Sequence, residues 1–262
     1  MRAQRIGSVL VFSGLLAASQ TSVFAEDFHW AEALASGQTL EIRGVNGAID
    51  ASAAAGSQAD VAATKRGRRS NADEVEIKVV KHSTGVTICA VYPGRSGRPN
   101  DCQPGDAGRM ETHDNDVDVH FVVKVPAGVR LVARTVNGNV EADRIGGDVV
   151  ASTVNGGIRV SARGLAQAET VNGSITASLG RADGVEPLDF KTVNGSIAVD
   201  IPAGVNADVR AGTVNGDIET DFPLTVKGRM TSRRLSGTLG SGGRPLNLET
   251  VNGSIHLRRG TS

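Results

Sequence analysis

The chain has 262 residues with 28 basic and 28 acidic side chains, so it carries no formal net charge. This balance argues against a general attraction to nucleic acid or to a membrane surface. The basic run at 65–70 contains no interleaved aromatic residue, so we predict no nucleic-acid partner. Aromatic residues make up only 3% of the chain, although platforms that stack on sugars or bases are built from aromatic rings. With 33 glycines against 8 prolines, the composition favours short strands joined by tight turns.

Residues 1–25 have the parts of a secretory signal peptide. Arg2 and Arg5 provide the positive start, an apolar run follows at 6–18, and a small-residue cleavage site precedes residue 26. The apolar run is shorter than the roughly 20 residues that span a bilayer. We therefore expect residues 26–262 to form a single exported domain, periplasmic or secreted, that does not span the membrane.

Residues 26–124 are the less regular part of this expected domain. Prolines and glycines are concentrated at 93–112, which predicts a long loop. Cys89 ends the strand before this loop, and Cys102 lies inside it. In an exported protein two cysteines most simply pair, so we predict a disulfide. Closing so short a loop would stabilise the fold by about 3 kcal/mol.

The densest group of potential metal ligands lies just after this loop. At strand spacing, Asp114, Asp116, Asp118 and His120 would share one face of an extended segment at 113–120. A calcium loop would need a glycine and a terminal glutamate that are missing, and a straight strand does not make oxygen atoms converge. We therefore predict a solvated face, with no metal site and no cofactor.

Residues 125–259 are organised around a repeated phrase, Thr-Val-Asn-Gly, followed one residue later by Ile or Val. Successive copies lie 16–22 residues apart if a degraded copy at Leu235–Leu239 is counted, and an outlying Val-Asn-Gly lies upstream. Apolar and polar residues alternate on both sides of the phrase, which indicates strand, turn and strand with one buried face. The asparagines of the phrase are Asn46, Asn137, Asn155, Asn172, Asn194, Asn215 and Asn252.

Two all-β architectures fit this rhythm. In an antiparallel meander or sandwich, each Asn-Gly would form a hairpin turn. In a β-solenoid each repeat is one coil, and equivalent residues of adjacent coils lie about 4.8 Å apart. Stacked asparagine amides can then donate to one neighbour and accept from the other, each bond contributing about 0.5–1.5 kcal/mol. Stacked repeats explain both the identical phrase and the variable spacer, because only the phrases contact one another directly. We therefore favour a single-stranded, β-helix-like solenoid.

The phrase, its Val-Pro-Ala-Gly lead-in at 125–128, the export signal and the upstream Val-Asn-Gly together resemble a bacterial family called putative adhesins. Its members are domains of unknown function. The resemblance covers roughly residues 39–257 and implies an extracytoplasmic β-solenoid. It supplies no catalytic residues to carry over. The chain departs from a bare repeat array in its cysteine-containing loop.

Three functions can be weighed from these observations. A polysaccharide-active enzyme is disfavoured because no convergent carboxylates, nucleophile or base can be named, so we predict no catalytic residues. Solenoids present extended surfaces, which favours a non-catalytic, adhesin-like interaction module of the cell envelope. Its partner would be an unidentified envelope or surface component, protein or glycan. The alternative is a structural or regulatory envelope-stress protein without adhesive activity. A local function would be expected first where the repeat is interrupted, at 93–120.

The stacked-amide hypothesis makes a prediction about stability. Asn172→Ala or Asn194→Ala would remove a side chain that bonds to two neighbours, and should lower the melting temperature more than Asn46→Ala at the end of the stack. Thermal unfolding of the purified variants measures the difference. Equal shifts for all three variants would rule out a stabilising asparagine ladder.

Overall fold

The computed structural model describes residues 28–260 apart from 96, 106, 181–185 and 227–230. The signal peptide expected at 1–25 therefore lies outside the described residues. The strands of the described chain are β1 Phe28–Ala33, β2 Thr39–Arg43, β3 Ile49–Ala53, β4 Gln58–Arg66, β5 Glu76–His82, β6 Gly85–Val91, β7 Asp118–Val125, β8 Arg130–Arg134, β9 Val140–Ile145, β10 Val149–Ser152, β11 Ile158–Ala162, β12 Ala166–Glu169, β13 Ile175–Leu179, β14 Leu188–Lys191, β15 Ile197–Ile201, β16 Ala207–Asn215, β17 Ile218–Thr220, β18 Thr225–Val226, β19 Arg234–Leu239, β20 Arg244–Asn252 and β21 Ile255–Arg259. A short 3-10 helix spans Ala72–Glu74.

The strands form two sheets in which neighbouring repeats pair side by side. The first sheet has the order β1-β4-β7-β3-β9-β11-β13-β15-β21-β17, and the second has the order β18-β19-β16-β20-β14-β12-β10-β8-β2-β6-β5. Each repeat contributes one strand to each sheet, and adjacent repeats pair in parallel. Equivalent residues of the phrase are in register along the stack. The β-solenoid predicted from the repeat is confirmed.

The core lies between the two sheets and follows from the alternation in each repeat. The residue two positions before the threonine, such as Ala168, and the residue two positions after the glycine, such as Ile175, are buried. Because successive side chains of a strand point to opposite faces, the next strand residues, such as Glu169 and Thr176, lie on the outer surface. Buried residues of both sheets form one continuous apolar cluster from Leu34 to Leu257.

The corner between the two strands of a coil is the Thr-Val-Asn-Gly phrase, and stacking explains three of its four residues. The threonine hydroxyl donates to the glycine carbonyl of the adjacent coil at 2.8–3.0 Å. The asparagine amide donates to the amide oxygen of the adjacent asparagine at 2.7–2.8 Å. A Cβ on the glycine would collide with the glycine carbonyl of the adjacent coil. The threonine, the asparagine and the glycine are therefore each required by contacts with the neighbouring coil.

The stack departs from chain order near its C-terminal end. The last coil, β20 and β21, lies between the β14–β15 coil and the β16–β17 coil. As a result, Asn252 bonds to both Asn194 and Asn215. The degraded copy at Leu235–Leu239 was predicted to form a further coil, and this is wrong because β19 runs antiparallel to β16. Since β19 covers one edge of β16, the parallel strand β20 pairs with the other edge.

The other end of the stack contains an interrupted coil. Strand β6 pairs with β2, and β7 pairs with β3, so β6 and β7 form a coil whose corner is replaced by residues 92–117. The long loop predicted at 93–112 lies inside this segment. The single strand face predicted for 113–120 is wrong, because β7 begins only at Asp118. Antiparallel strands β4 and β5 cover the two edges of this coil, and β1 adds to β4.

The close packing of the corners predicts a contrast between two glycines. Gly195→Ala should destabilise the fold by about 1–3 kcal/mol, because the added methyl group meets the Gly173 carbonyl and the coils must separate. Gly212→Ala in β16 adds a methyl group with nothing within 4 Å, and should stabilise by about 0.4–1 kcal/mol. Chemical denaturation of both variants measures the two effects. Two variants of equal stability would contradict this description of the corner.

Candidate functional site on the corner face

The valine of the repeated phrase is the corner residue that stacking does not explain. In the described chain six large apolar residues are exposed, and five of them are valines of this phrase. Their exposed fractions are 39% in four coils and 56% in the last. Adjacent coils place them about 4.8 Å apart in a line beside the asparagines. We call this line the valine row, and in stack order it consists of Val136, Val154, Val171, Val193, Val251 and Val214.

The corner does not require an apolar side chain at this position. A β-branched residue favours the extended backbone of the corner, but threonine would do so equally and would be compatible with water. Instead, apolar side chains recur along one exposed line. Contiguous exposed apolar surface is typical of interaction sites in folded proteins. The valine row is therefore the feature that most strongly indicates a binding surface.

Charged side chains flank the row on the outer face of the second sheet. In the coils of Val171, Val193 and Val251 they occupy the position two residues before the valine, where Glu169, Lys191 and Glu249 are exposed. A groove of about 790 Å³ lies beside them and continues to Arg210 and Arg234. Its walls combine apolar contacts with charges of both signs. Such a groove can contact a polypeptide or another polar chain, and shows no preference for one charge.

The segment 92–117 covers one end of the row. Val45 occupies the row position in the β2–β3 coil, yet it is only 3% exposed because this segment lies over it. A cleft of about 270 Å³ remains between the segment and the first corners, lined by Val45, Val136, Met110 and the polar side chains of Arg95 and His113. The exposed row thus begins where the covering segment ends.

The covering segment is fixed by a disulfide and by hydrogen bonds. Cys89 and Cys102 are bonded to each other, with 5.7 Å between their Cα atoms. The Asn100 amide donates to the Tyr92 carbonyl at 2.9 Å and to the Glu111 carbonyl at 2.6 Å. The Tyr92 hydroxyl lies 2.8 Å from the Val117 carbonyl, and burial raises the pKa of this tyrosine well above its usual range. These contacts hold a segment with no regular strand in one arrangement.

The segment also rests directly on the stack. The Arg43 guanidinium donates to the carbonyls of Gln103 and Ala107, both at 2.6 Å. The Gly105 N–H donates to the buried carboxylate of Glu41 at 2.9 Å. The Asn46 amide, at the end of the asparagine ladder, lies 3.4 Å from the Asn115 carbonyl. The segment therefore closes the ladder as well as covering the row.

The residues singled out as possible metal ligands do not converge. Asp116 accepts hydrogen bonds from the backbone N–H groups of Ser70 and Arg69. His120 lies 2.7 Å from a carboxylate oxygen of Asp50 on the neighbouring strand. In the described part of the chain, no group of three or more His, Cys, Asp or Glu side chains is arranged to hold a metal ion.

Two further sequence predictions concern residues of the corner face. The seven asparagines of the phrase form one continuous ladder along the stack, and the two cysteines are bonded in the covering segment. The valine row was missed as a site, although its signal was present. A valine recurred in every phrase at a position that the alternation of the flanking strands did not place in the core.

The fold and the corner face together define a class, a β-solenoid built from stacked two-strand coils with one interrupted coil. The sequence model of the family described as Toastrack DUF4097 matches residues 105–258. Because this match covers more than half of the chain, the protein belongs to that family. The match confirms the resemblance to adhesin-like domains of unknown function that the repeated phrase indicated.

Three bacterial proteins of known structure are among those to which the chain is similar. The chain is similar to a putative cell adhesion protein from Clostridium sporogenes, at 11% identity and a TM-score of 0.49, covering 88% of this chain and 99% of the other. A putative adhesin from Bacteroides fragilis has 8% identity and a TM-score of 0.27, with 88% and 98% covered. One from Parabacteroides merdae has 11% identity and a TM-score of 0.20, with 88% and 95% covered.

No curated protein matches the chain. Within the residues that the structure describes, no helix has the length and apolar character needed to cross a membrane.

The contact between Asp116 and the backbone of Arg69 and Ser70 predicts a response to acid. Hydrogen bonds, first from the Ser70 N–H and then from the Arg69 N–H, lower the pKa of Asp116 from 3.8 to about 2. A carboxyl group with a lowered pKa stabilises the folded state above its unfolded pKa, and this contribution is lost as the pH falls from about 4 towards 2. We expect the amide signals of Ser70 and Arg69 to shift over that range in NMR spectra. In Asp116→Asn the shift should disappear. Amide signals in the wild type that do not move over this range would contradict the assignment.

Proposed function

We propose that the protein is an exported, non-catalytic interaction module of the cell envelope, which contacts its partner through the corner face. The observation that carries this proposal is the valine row, whose side chains are exposed in five successive coils, while Val136 at the covered end is half-buried against the core. A row on rigid, mutually bonded corners is held in place before binding, so little conformational entropy is lost on contact. The partner is an envelope or surface component, protein or glycan.

Two observations support an extracytoplasmic location. The bonded Cys89 and Cys102 are stable in an oxidising compartment, whereas cytoplasmic reductants keep most thiols reduced. The N-terminal sequence at 1–25 has the composition of an export signal. Either the periplasm or the cell exterior satisfies both observations.

The environment of the titratable groups supports a non-catalytic role. The Arg109 backbone N–H lowers the pKa of Asp101, and the Arg109 side chain lowers that of Glu111, so these carboxylates are used to order the covering segment. Thr87 donates to Glu41 at 2.9 Å and lies 3.2 Å from His82, but its side chain is fully buried and out of reach of a substrate. Both arrangements serve the fold.

Retention on envelope fractions of the native cell tests the proposal. We expect the purified, processed protein to be retained, and Val171→Ser/Val193→Ser to lose most of this retention because the apolar contact is broken. A matched control is Val122→Ser, which removes an equally exposed valine (42%) from β7 in the first sheet. The control should be retained like the wild type.

The outcomes separate the proposal from a purely structural role. Wild-type protein that is retained on no fraction, with its fold verified by circular dichroism, would contradict an interaction module. Retention that survives the double valine substitution would place the contact outside the valine row. Crosslinking in the native cell then identifies the retained partner.

A further inference from the structure

We propose that the partner of the valine row is a second copy of this chain, packed antiparallel across a two-fold axis between the coils of Val171 and Val193. This inference rests on the proposed function, because it needs the row to be an interaction surface. In this arrangement Val171 faces Val193 of the second copy. Val154 likewise faces Val251, and Val136 faces Val214.

The spacing of the row favours a partner of the same construction. Its side chains repeat about every 4.8 Å, the distance between paired strands. An extended peptide advances about 3.3 Å per residue, so its side chains fall out of step with the row within a few coils. A second copy has the same repeat and remains in step along all six valines. Identical rows of small branched side chains can then interdigitate and exclude water, as in paired sheets.

The flanking charges match in the antiparallel arrangement. A two-fold axis across the stack places each flanking position opposite the same position of a different coil. Glu169 then faces Lys191 of the second copy, and Lys191 faces its Glu169, so the complementary contact occurs twice. Within one chain Glu169 and Lys191 lie opposite each other on the paired strands β12 and β14, and in the described residues no contact within 4.0 Å joins them as an ion pair. Ser152 faces Glu249 of the second copy, so the serine hydroxyl can donate a hydrogen bond to the glutamate carboxylate.

The other edge of the row is equally compatible. The residues that follow the corner glycines are small or polar, and Ser174 faces Ser196 of the second copy. Asn139 faces Asp217, a pair in which the amide donates to the carboxylate. No like charges meet at either edge, which is what a self-complementary surface requires.

The covering segment selects this arrangement over a parallel one. Segment 92–117 rises over Val45, one coil before the row begins. If the two copies were parallel, their covering segments would meet and hold the rows apart. In the antiparallel arrangement each segment meets the other copy beyond Val214, where the Ser232 and Arg233 carbonyls accept hydrogen bonds from the last corner. The two covering segments then lie at opposite ends of the paired rows.

Charge reversal tests the predicted contact. Sedimentation of the purified, processed protein should show a monomer–dimer equilibrium. Glu169→Lys and Lys191→Glu should each weaken dimerisation by about tenfold or more, because like charges then meet twice. The double variant should recover dimerisation to near the wild-type level. Glu141→Arg and Arg159→Glu reverse an adjacent-coil pair on the first sheet and are the matched controls, with no expected effect.

Cysteine crosslinking tests the register. A mixture of Val171→Cys with Val193→Cys should form an intermolecular disulfide under mild oxidation, and so should a mixture of Val154→Cys with Val251→Cys. Crosslinking of each single variant to itself, in preference to the mixture, would overturn the antiparallel register. A wild-type protein that stays monomeric at every concentration would overturn the inference as a whole.

The two proposals can fail separately. Envelope fractions from cells that lack this chain provide the distinction. If the second copy is the partner, the purified protein should be retained only on fractions that contain the chain. Retention on both kinds of fraction by a monomeric protein, with loss in Val171→Ser/Val193→Ser, would leave the proposed function standing and reject the second copy. Wild-type protein that neither dimerises nor is retained on any fraction would reject both.

Discussion

The hydrogen bonding between adjacent corners is the constraint on which the rest of the structure depends. Each coil provides a hydroxyl donor, an amide donor and acceptor, and a carbonyl that only a neighbouring glycine can approach. These groups fix the distance and the register between coils at one point. Once the corners are aligned, the flanking strands pair in register and their alternating side chains meet in the core. The phrase is repeated because each copy is the binding site for the next.

The same constraint explains why the exposed valines form a surface. Side chains on a flexible loop would lose conformational freedom on binding, whereas these valines are attached to a backbone that the neighbouring coils already hold. The row is therefore regular because the ladder beside it is regular. Val45, which occupies the same position in the β2–β3 coil, is buried because the adjacent β6–β7 coil has the disulfide-bonded segment in place of a corner. The interruption of the repeat sets where the exposed row begins, and with it the register available to a partner.

Antiparallel strands have a different role from the parallel coils. They lie at the ends of the sheets, where β4 and β5 pair with the interrupted coil and β19 pairs with β16. A parallel stack would otherwise expose unpaired backbone groups at its edges, which invite further pairing. Antiparallel pairing thus occurs beside the stack and not at the Asn-Gly phrases, which are corners between parallel coils. Parallel stacking builds the body of the fold, and antiparallel strands pair with its outer coils at every sheet end except β17.

The sequence by itself determined the coil, since Thr, Asn and Gly at fixed spacing allow little except stacked corners with alternating strands beside them. It also placed the cysteines and the interruption of the repeat. Only the tertiary structure decided the order of the last two coils, because Asn215 and Asn252 carry the same phrase and fit either position. That choice depends on β19, which occupies one edge of β16 and leaves the other to β20. The exposure of the valine row was also decided by the tertiary structure, because it depends on which segments pack over each corner. The contrast between the buried Val45 and the exposed Val171 demonstrates this.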